Sequence, residues 1–372
     1  MKVRFLLLIS CHLSFITSVC AQHLDDVTEH SKYIQAVDEY LPAPGQFVNV
    51  MPQYEAADDA TSMVQKCTQC IANNQKTEIT LGGYGGYVTF HFDHSIANVK
   101  GQADVLILGN CSYDNNSEPG IIMVSMDENG NGLPDDTWYE LMGSADADSV
   151  GKVVYGYSIS YSRPTTETAD GKRSDISKDI SIEQYIPWTD NLGQSGFVYK
   201  NRYHDQSYYP MWISDDVLAY GPHTLLPPNA MNTGNYSHEN WLRTAFAWGY
   251  VDNKDNADTS ACSFNFDHAV EVVSRQPVDI SYVDFIRVYT GVNQYCGWIG
   301  DTSTEVRGAE DLHLDESIAR IRELLSGIST VANDCQQPAA CYSLSGRRLP
   351  SPQQGINLLR SSDGTVKKIL IK

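Results

Sequence analysis

From about residue 78, TEITLGGYGGYVTFHFDH alternates apolar and polar residues around glycine pairs, and short β-rich runs bounded by glycine, asparagine and aspartate follow. Examples are ADVLILGN, GIIMVSMD, VVYGYSISYS and DFIRVYTGV. A period of two is typical of strands whose two faces meet different surroundings. Helical patterns do not separate these runs, although parallel strands need crossovers of that kind. The sequence therefore predicts a mainly β fold, an antiparallel β-sandwich or jelly roll.

Three further segments have patterns of their own. Residues 32–73 favour short N-terminal helices, the first over SKYIQAVDEYL with Ser31 as its N-cap and the second over ADDATSMVQKCTQCIANN. Residues 165–245 are rich in tyrosine, tryptophan, proline and asparagine with little alternation. We expect them to form long aromatic-rich loops at one end of the sandwich, where binding sites usually lie. DESIARIRELLSGI predicts another short helix.

The start of the chain has the features of a secretory signal peptide. Residues 1–21 combine Lys2 and Arg4 with an apolar run and a small-residue end, which predicts cleavage after Ala21. Cys20 leaves lipid anchoring open, but valine precedes it where a lipidation motif has a small residue. No later stretch has the ~18 apolar residues of a transmembrane segment. The formal net charge of -20 argues against nucleic acid or anionic lipid as a partner.

The cysteine count is odd once the leader is removed. Seven of the nine cysteines follow residue 21, so at least one thiol has no partner within the chain. Cys67 and Cys70 form a CxxC motif in a predicted helix, without a second pair that would complete a zinc site. The spacing resembles a redox or zinc half-motif, but we expect buried small residues or a strained local pair. Cys335 and Cys341 could pair with each other.

The last residues form a separate basic unit in an otherwise acidic chain. CYSLSGRRL, GINLL and GTVKKILIK predict a small β-meander. In this order the three elements resemble the C-terminal sorting domain of type IX secretion substrates of Gram-negative bacteria. The resemblance implies recognition by the secretion machinery and transfer across the outer membrane. An accessory β-domain is the alternative. The expected organisation is a signal peptide (1–21), a ligand-binding sandwich (22–315), a helix and linker (316–340) and this sorting domain (341–372).

The stretch MDENGNGLPDD has the spacing of a metal-binding loop. Short oxygen-bearing side chains occupy alternate positions before a glycine, as in the first half of a calcium loop. The expected ligands are Asp127, Asn129, Asn131, Leu133 through its carbonyl, Asp135 and Asp136. Trp138 stands where an EF-hand has a bidentate glutamate, so the expected role is a structural Ca2+ site between strands. A turn without metal is the alternative. A second acidic turn, with Asp252, Asp255 and Asp258, is a weaker candidate.

The known motifs of catalysis are missing from the sequence. No GxSxG, HExxH or P-loop pattern is present. In the strand segment HFDH, His91 and Asp93 should share one face and His94 the other, which is a poor spacing for a shared metal. Catalysis therefore stays uncertain and is not favoured. A pair of carboxylates suited to glycoside hydrolysis remains an open alternative among 46 acidic residues.

Aromatic residues give the clearest indication of a ligand site. Loop-like stretches contain several rings next to asparagine and glutamine, a combination suited to stacking on a flat ligand. The expected ligand-binding residues are Tyr203, Tyr208, Tyr209, Trp212, Tyr295 and Trp298. The alternative is that these rings pack the loops against the core.

Residues 32–315 resemble a family of bacterial cell-surface proteins, often associated with PKD-like modules. The resemblance lies in PAPGQFVN, LGGYGGYVTFHFDH, EPGIIMVSMDENGNGLPDDTWYEL and DFIRVYTGVNQYCGWIGDTSTEVRGAEDLHL. Relatives of this kind resemble surface cobalamin-binding proteins of B12-uptake loci. The resemblance implies an exported protein that captures a small molecule, preferably a corrinoid. A glycan-binding or glycan-degrading protein, or a structural or adhesive surface protein, is the alternative.

Overall fold

The structure is a computed structural model that describes residues 30–113, 116–148, 152–326, 340–343, 347–360 and 366–371. The predicted signal peptide and Cys335 lie outside the described residues, as does most of the predicted linker. Among the described helices, none is long and apolar enough to cross a membrane.

Three α-helices and twenty-one strands form the described part of the chain. The helices are α1 (Ala60–Ile71), α2 (Ser144–Asp148) and α3 (Leu314–Ser326). The strands are β1 (Ala36–Leu41), β2 (Ile79–Thr80), β3 (Tyr87–Ala97), β4 (Val105–Leu108), β5 (Gly120–Ser125), β6 (Trp138–Leu141), β7 (Val154–Ser162), β8 (Ile180–Asp190), β9 (Ser195–Asn201), β10 (Val217–Leu225), β11 (Ala230–Asn232), β12 (Trp241–Arg243), β13 (Ser263–Phe264), β14 (Ala269–Glu271), β15 (Tyr282–Thr290), β16 (Glu305–Val306), β17 (Gly308–Asp311), β18 (Ala340–Ser343), β19 (Arg348–Leu349), β20 (Gly355–Arg360) and β21 (Val366–Ile371).

The fold is mainly β and its sheets are antiparallel, which confirms the predicted fold class. A six-stranded sheet with the order β1-β3-β15-β5-β6-β14 forms its centre. A three-stranded sheet, β13-β4-β17, and α1 contribute to a core with one face of the central sheet. A four-stranded sheet, β10-β7-β8-β9, contributes to a second core with the other face. The central sheet is therefore covered on both sides.

Strand β5 shows how the sequence produces this layering. All six of its residues, GIIMVS, are buried. Ile122 and Val124 belong to the first core, whereas Ile121 and Met123 belong to the second. A strand buried on both faces needs apolar side chains at consecutive positions, which is why this run lacks strict alternation.

The first predicted helix is wrong, because Ala36–Leu41 forms strand β1 at the edge of the central sheet. The pairing of β1 with β3 shifts register between Val37 and Glu39, so the strand contains a bulge. The bulge lets Val37 and Tyr40 both face the core, although they are three residues apart. Three-residue spacing of buried side chains imitates a helix, and this explains the error. The second predicted helix is confirmed as α1.

The segment 165–245 is more regular than the sequence predicted. It contains β8, β9 and β10, three of the four strands in the second outer sheet, in addition to connecting loops. Register shifts in β10 after Tyr220 and in β8 after Ile182 break the alternation that would have marked these strands. Gly221, at φ 100°, adopts a left-handed conformation that favours glycine at the first shift.

Beyond α3, the described residues of the C-terminal unit form a small antiparallel sheet of order β19-β18-β20-β21. A β-meander was predicted there. The Cys341 thiol is free in this sheet and is buried. Cys67 is buried in the first core and Cys70 is half-buried, both as free thiols, as expected.

Candidate functional site

An open cleft in the second half of the chain brings two of the predicted ligand-binding rings together. Tyr203 is 58% exposed and Trp298 is 53% exposed. The cleft has a volume of about 610 Å3. We call it the aromatic cleft, and it is lined by Lys178, Asp179, Tyr203, His204, His238, Glu239 and Trp298.

One buried side chain positions both aromatic walls of the cleft. Asn201 lies at the end of β9 and is 1% exposed. Its Oδ1 accepts hydrogen bonds from the backbone N–H groups of Tyr203, at 2.9 Å, and His204, at 3.1 Å. Its Nδ2 donates to the carbonyl of Trp298 at 2.9 Å. Segments almost 100 residues apart in sequence are thus held at a defined separation, which pre-organises the site.

The turn that presents Trp298 packs its backbone closely against the side chains of Glu239 and Trp241. Gly297 begins this 3-10 turn at φ 63°. A Cβ atom at this position would lie 2.1 Å from Glu239 Oε2 and 2.2 Å from Trp241 Nε1. Only glycine leaves room for the Glu239 carboxylate beside the turn.

The cleft combines aromatic faces with hydrogen-bonding groups. Tyr203 donates its hydroxyl to Asp179 Oδ1 at 2.9 Å, and this bond raises the pKa of the tyrosine. Burial lowers the pKa of His204, so this imidazole is neutral near pH 7. Glu239 accepts a hydrogen bond from Trp241 Nε1 at 3.1 Å. The cleft thus combines stacking surfaces with the half-buried Glu239 carboxylate, whereas Asp179 is itself buried and bonded to Tyr203.

The other four predicted rings do not line the cleft. Tyr208 and Tyr209 are 0% and 1% exposed and belong to the second core. Trp212 packs against the first core and stacks on Tyr40 at 5.8 Å between ring centroids. Tyr295 is half-buried, between Tyr199 and Trp241. Their roles in the structure are therefore packing roles, which was the alternative reading of the sequence.

The loop predicted to bind calcium wraps around Asp127. Oδ1 of Asp127 accepts from the N–H groups of Gly130 and Asn131, at 2.7 and 3.1 Å, and Oδ2 accepts from Gly132 at 2.9 Å. Both Gly130 and Gly132 have φ near 70°. The amide groups of Asn129 and Asn131 both donate to Asp135, at 3.0 Å.

The side-chain oxygens of the two asparagines accept hydrogen bonds from the loop's own backbone. Asn131 N–H donates to Asn129 Oδ1 at 2.9 Å, and Leu133 N–H donates to Asn131 Oδ1 at 2.8 Å. Asp136 lies at the other side of the loop, where its Oδ2 accepts from the N–H of Glu128 at 3.0 Å. The expected carbonyl ligand, Leu133, is on the exposed rim with a side chain that is 54% exposed.

Asp284 on β15 is a further acid at this loop that the sequence pattern did not indicate. Its Oδ2 accepts from the N–H of Asp127 at 2.7 Å. Burial raises the pKa of Asp284, and the charges of Asp127 and Asp136 raise it further. Asp284 lies within a register shift of β15 and 157 residues after Asp127 in sequence, so no local spacing could have revealed it.

Three buried acids form a second, closed polar site, which we call the carboxylate cluster. It consists of Glu118, Asp252 and Glu305, whose carboxylate oxygens lie within 4.8 Å of one another. These residues are 6%, 2% and 1% exposed. Arg243 forms an ion pair with Glu118 at 2.5 Å and is also buried.

The carboxylate cluster cross-links several segments of the chain. Oδ1 of Asp252 accepts from the backbone N–H groups of Asn110 and Cys111, and its Oδ2 from that of Glu305. Glu305 accepts from the Thr80 hydroxyl at 3.1 Å and from the Asn110 amide at 2.9 Å. Burial raises the pKa of Asp252 and of Glu305, and their repulsion with Glu118 raises both further. Asp252 belongs to the second acidic turn, the weaker metal candidate in the sequence, and its side chain is buried in this cluster.

The histidines considered in the sequence separate into two groups. His91 pairs with Asp38 at 2.8 Å, in line with its position on β3. Asp93 and His94 contact each other, with 2.6 Å between Oδ1 and Nδ1. His30, from the first described segment, reaches the same Asp93 oxygen at 3.3 Å. Contact between His30 and the HFDH segment could not be predicted from local spacing.

No protein-family model matches the chain, and no curated protein matches it.

Proposed function

We propose that the chain is an exported binding protein that captures a small molecule in the aromatic cleft without transforming it. The observation that carries the proposal is the exposure of Tyr203 and Trp298 in one pre-organised cleft. Most tyrosine and tryptophan side chains in this protein are packed, so exposing two in one concavity has a cost that ligand stacking would offset.

The preferred ligand is a corrinoid, in keeping with the resemblance to surface cobalamin-binding proteins. A glycan is the second candidate. It is favoured by Asp179 and Glu239, because carboxylate oxygens beside aromatic faces suit a ligand with many hydroxyl groups.

Calorimetric titration of cyanocobalamin into the full chain tests the proposal. We expect binding in the micromolar range or tighter, about -8 kcal/mol or better. Trp298→Ala should weaken binding by about 30-fold, as expected for an aromatic anchor. Trp248→Ala is the matched control, since Trp248 is 37% exposed and lies outside the cleft.

Each outcome of this titration has a defined meaning. Equal binding by both variants would place the ligand elsewhere and remove the cleft from the proposal. A folded sample that binds neither cyanocobalamin nor any member of a glycan array would overturn small-molecule capture. Glycan binding sensitive to Trp298→Ala would keep the cleft and replace the corrinoid.

We also propose that the loop around Asp127 binds structural Ca2+. The support is the convergence of the Asp127, Asn129, Asn131 and Asp135 side chains, with Asp136 and Asp284 nearby. Calcium at 100 times its dissociation constant should stabilise the folded chain by about 2.7 kcal/mol.

Thermal unfolding with calcium and with chelator measures this stabilisation. Asp127→Asn removes one charge but keeps an acceptor for the loop N–H groups, so it should abolish most of the calcium response. Asp175→Asn, at an exposed position, should preserve the response. An equal response in both variants would refute calcium binding at this loop.

Export and surface display remain part of the proposal through the signal peptide, which lies outside the described residues, and the C-terminal unit. The support from the structure is that the tail forms its own four-stranded sheet. Deleting residues 341–372 should leave the protein inside the cell envelope, as fractionation and surface labelling would show.

A further inference from the structure

A cluster of histidine and aspartate joins the first described segment to the central sheet. His30, Asp93 and His94 each offer one ligand atom, a ring nitrogen or a carboxylate oxygen, and these three atoms lie within 4.8 Å of one another. Both imidazoles point a nitrogen at the same oxygen, at 3.3 Å from His30 and 2.6 Å from His94. Two nitrogens and one carboxylate oxygen form a ligand set that zinc prefers.

The orientation of His94 is set by a second carboxylate on its far side. Its Nε2 lies 2.8 Å from Asp311 Oδ2, and both side chains are 0% exposed. Asp311 is itself held, because its Oδ1 accepts from the N–H of His313 at 2.7 Å. In the tautomer whose Nε2–H donates a hydrogen bond to Asp311, Nδ1 carries a lone pair that can bind a metal. Histidine ligands of metals usually have this outer carboxylate.

Asp93 is oriented toward the two imidazoles in a similar way. Its Oδ2 accepts a hydrogen bond from the backbone N–H of Ser31 at 3.0 Å, so Oδ1 is directed at the histidines. Zinc bonds of about 2.0–2.1 Å in tetrahedral geometry separate ligand atoms by about 3.3 Å. The distance from His30 to Asp93 already has this value, and that from His94 must widen by less than an ångström.

The charges at the cluster also favour a cation. Asp93 and Asp311 place two carboxylates against one imidazole, and a divalent ion would balance both. The side chains of His30 and Asp93 are 19% and 24% exposed, so one side of the cluster reaches solvent and an ion can enter.

We propose that His30, Asp93 and His94 bind a zinc-class metal ion, with Asp311 as the outer carboxylate that positions His94. The three protein ligands leave a fourth position for solvent. Because His30 precedes β1 by six residues and Asp311 precedes α3 by three, the ion would fasten the start of the described chain to the central sheet and to the region of α3. This inference does not depend on the aromatic cleft.

The test uses the untagged full chain, treated with chelator and then kept in excess Ca2+ to fill acidic loops. Zinc titration by calorimetry should show one site per chain with micromolar or tighter affinity. Co2+ should give the visible absorption of a tetrahedral site. His30→Ala should weaken zinc binding at least about 100-fold, since it removes one of three ligands.

Two further variants separate ligation from general structural damage. His91→Ala is the matched control, because His91 is on the same strand and also pairs with a carboxylate. It should leave zinc affinity within about threefold of the original. Asp311→Asn should weaken binding about 10- to 100-fold while the tetrahedral Co2+ spectrum persists, as expected for a positioning residue.

Two results would contradict metal binding at this cluster. Failure of the folded, metal-free chain to bind zinc or cobalt would mean that the cluster holds only a proton. Equal affinities in His30→Ala and His91→Ala would place any bound zinc elsewhere. Circular dichroism of each metal-free variant establishes that it is folded.

Discussion

The aromatic cleft and the carboxylate cluster use polar groups in opposite ways. In the cleft, Asp179 and Glu239 each have a protein partner and still line an open space. In the cluster, Glu118, Asp252 and Glu305 are surrounded by backbone N–H groups, hydroxyls and one guanidinium. The difference shows that charge alone does not mark a ligand site. What distinguishes the cleft is that its acids accompany exposed rings.

The largest expected effect on stability is at the carboxylate cluster. Arg243→Met would leave the three buried carboxylates without their guanidinium partner. Removing one member of a buried ion pair lowers the free energy of unfolding by about 3–5 kcal/mol. Urea denaturation at neutral pH measures the loss. Arg202→Met, at an exposed position beside the cleft, should change stability by no more than about 0.5 kcal/mol. Equal losses of stability in both variants would contradict the distinction between the buried cluster and the exposed surface beside the cleft.

An intermediate effect is expected at Asp301, which lies in sequence between the turn of Trp298 and Glu305 of the cluster. Burial raises the pKa of Asp301 to about 8, and its Oδ2 has no hydrogen-bond partner among the described residues. In the unfolded chain the carboxyl ionises near pH 4. The folded state therefore binds the proton more tightly, and stability falls as the pH rises from about 4 to about 8.

Asp301→Asn should remove this pH dependence. The expected difference between the two proteins is roughly 1–3 kcal/mol at the upper end of the range, in favour of the variant. Urea denaturation at a series of pH values checks it. Asp205→Asn, at an exposed position, is the control and should keep the original slope. Parallel curves of stability against pH for the original protein and Asp301→Asn would show that the Asp301 carboxyl is not the source of the pH dependence.

The smallest effect on stability is expected in the aromatic cleft. Trp298→Ala should lower the free energy of unfolding by less than about 1 kcal/mol, because about half of the side chain is already in water. Trp212→Ala, which removes a ring stacked on Tyr40, should cost more. Equal losses would mean that Trp298 has a packing role, and would weaken its assignment to ligand binding.

Local pattern was sufficient for much of the fold. The alternation and the short β-rich runs correctly indicated an antiparallel β protein, and the segment ADDATSMVQKCTQCIANN correctly indicated the helix at residues 60–71. The failures share one cause. At β1, β8 and β10, register shifts place side chains at spacings other than two, so the strands lack the signal by which strands are recognised. A bulge depends on the partner strand, which local sequence does not specify.

Candidate site residues were predicted less completely for a related reason. Tyr203 and Tyr209 stand in the same aromatic stretch, yet one is 58% exposed and the other 1%. Their residue type is equally suited to core and to ligand contact, so only packing separates them. The carboxylate cluster and the contact of His30 with Asp93 were missed altogether, since their members come from distant segments.

By itself, the sequence determined the elements whose physics is local. These are the period of the strands, the two glycines at left-handed positions in the Asp127 loop, and the separate basic tail. Tertiary structure alone decided which faces are buried, which rings reach solvent and which acids meet. The physical reason is that burial and charge pairing depend on distances between segments tens to hundreds of residues apart, and chain topology sets those distances.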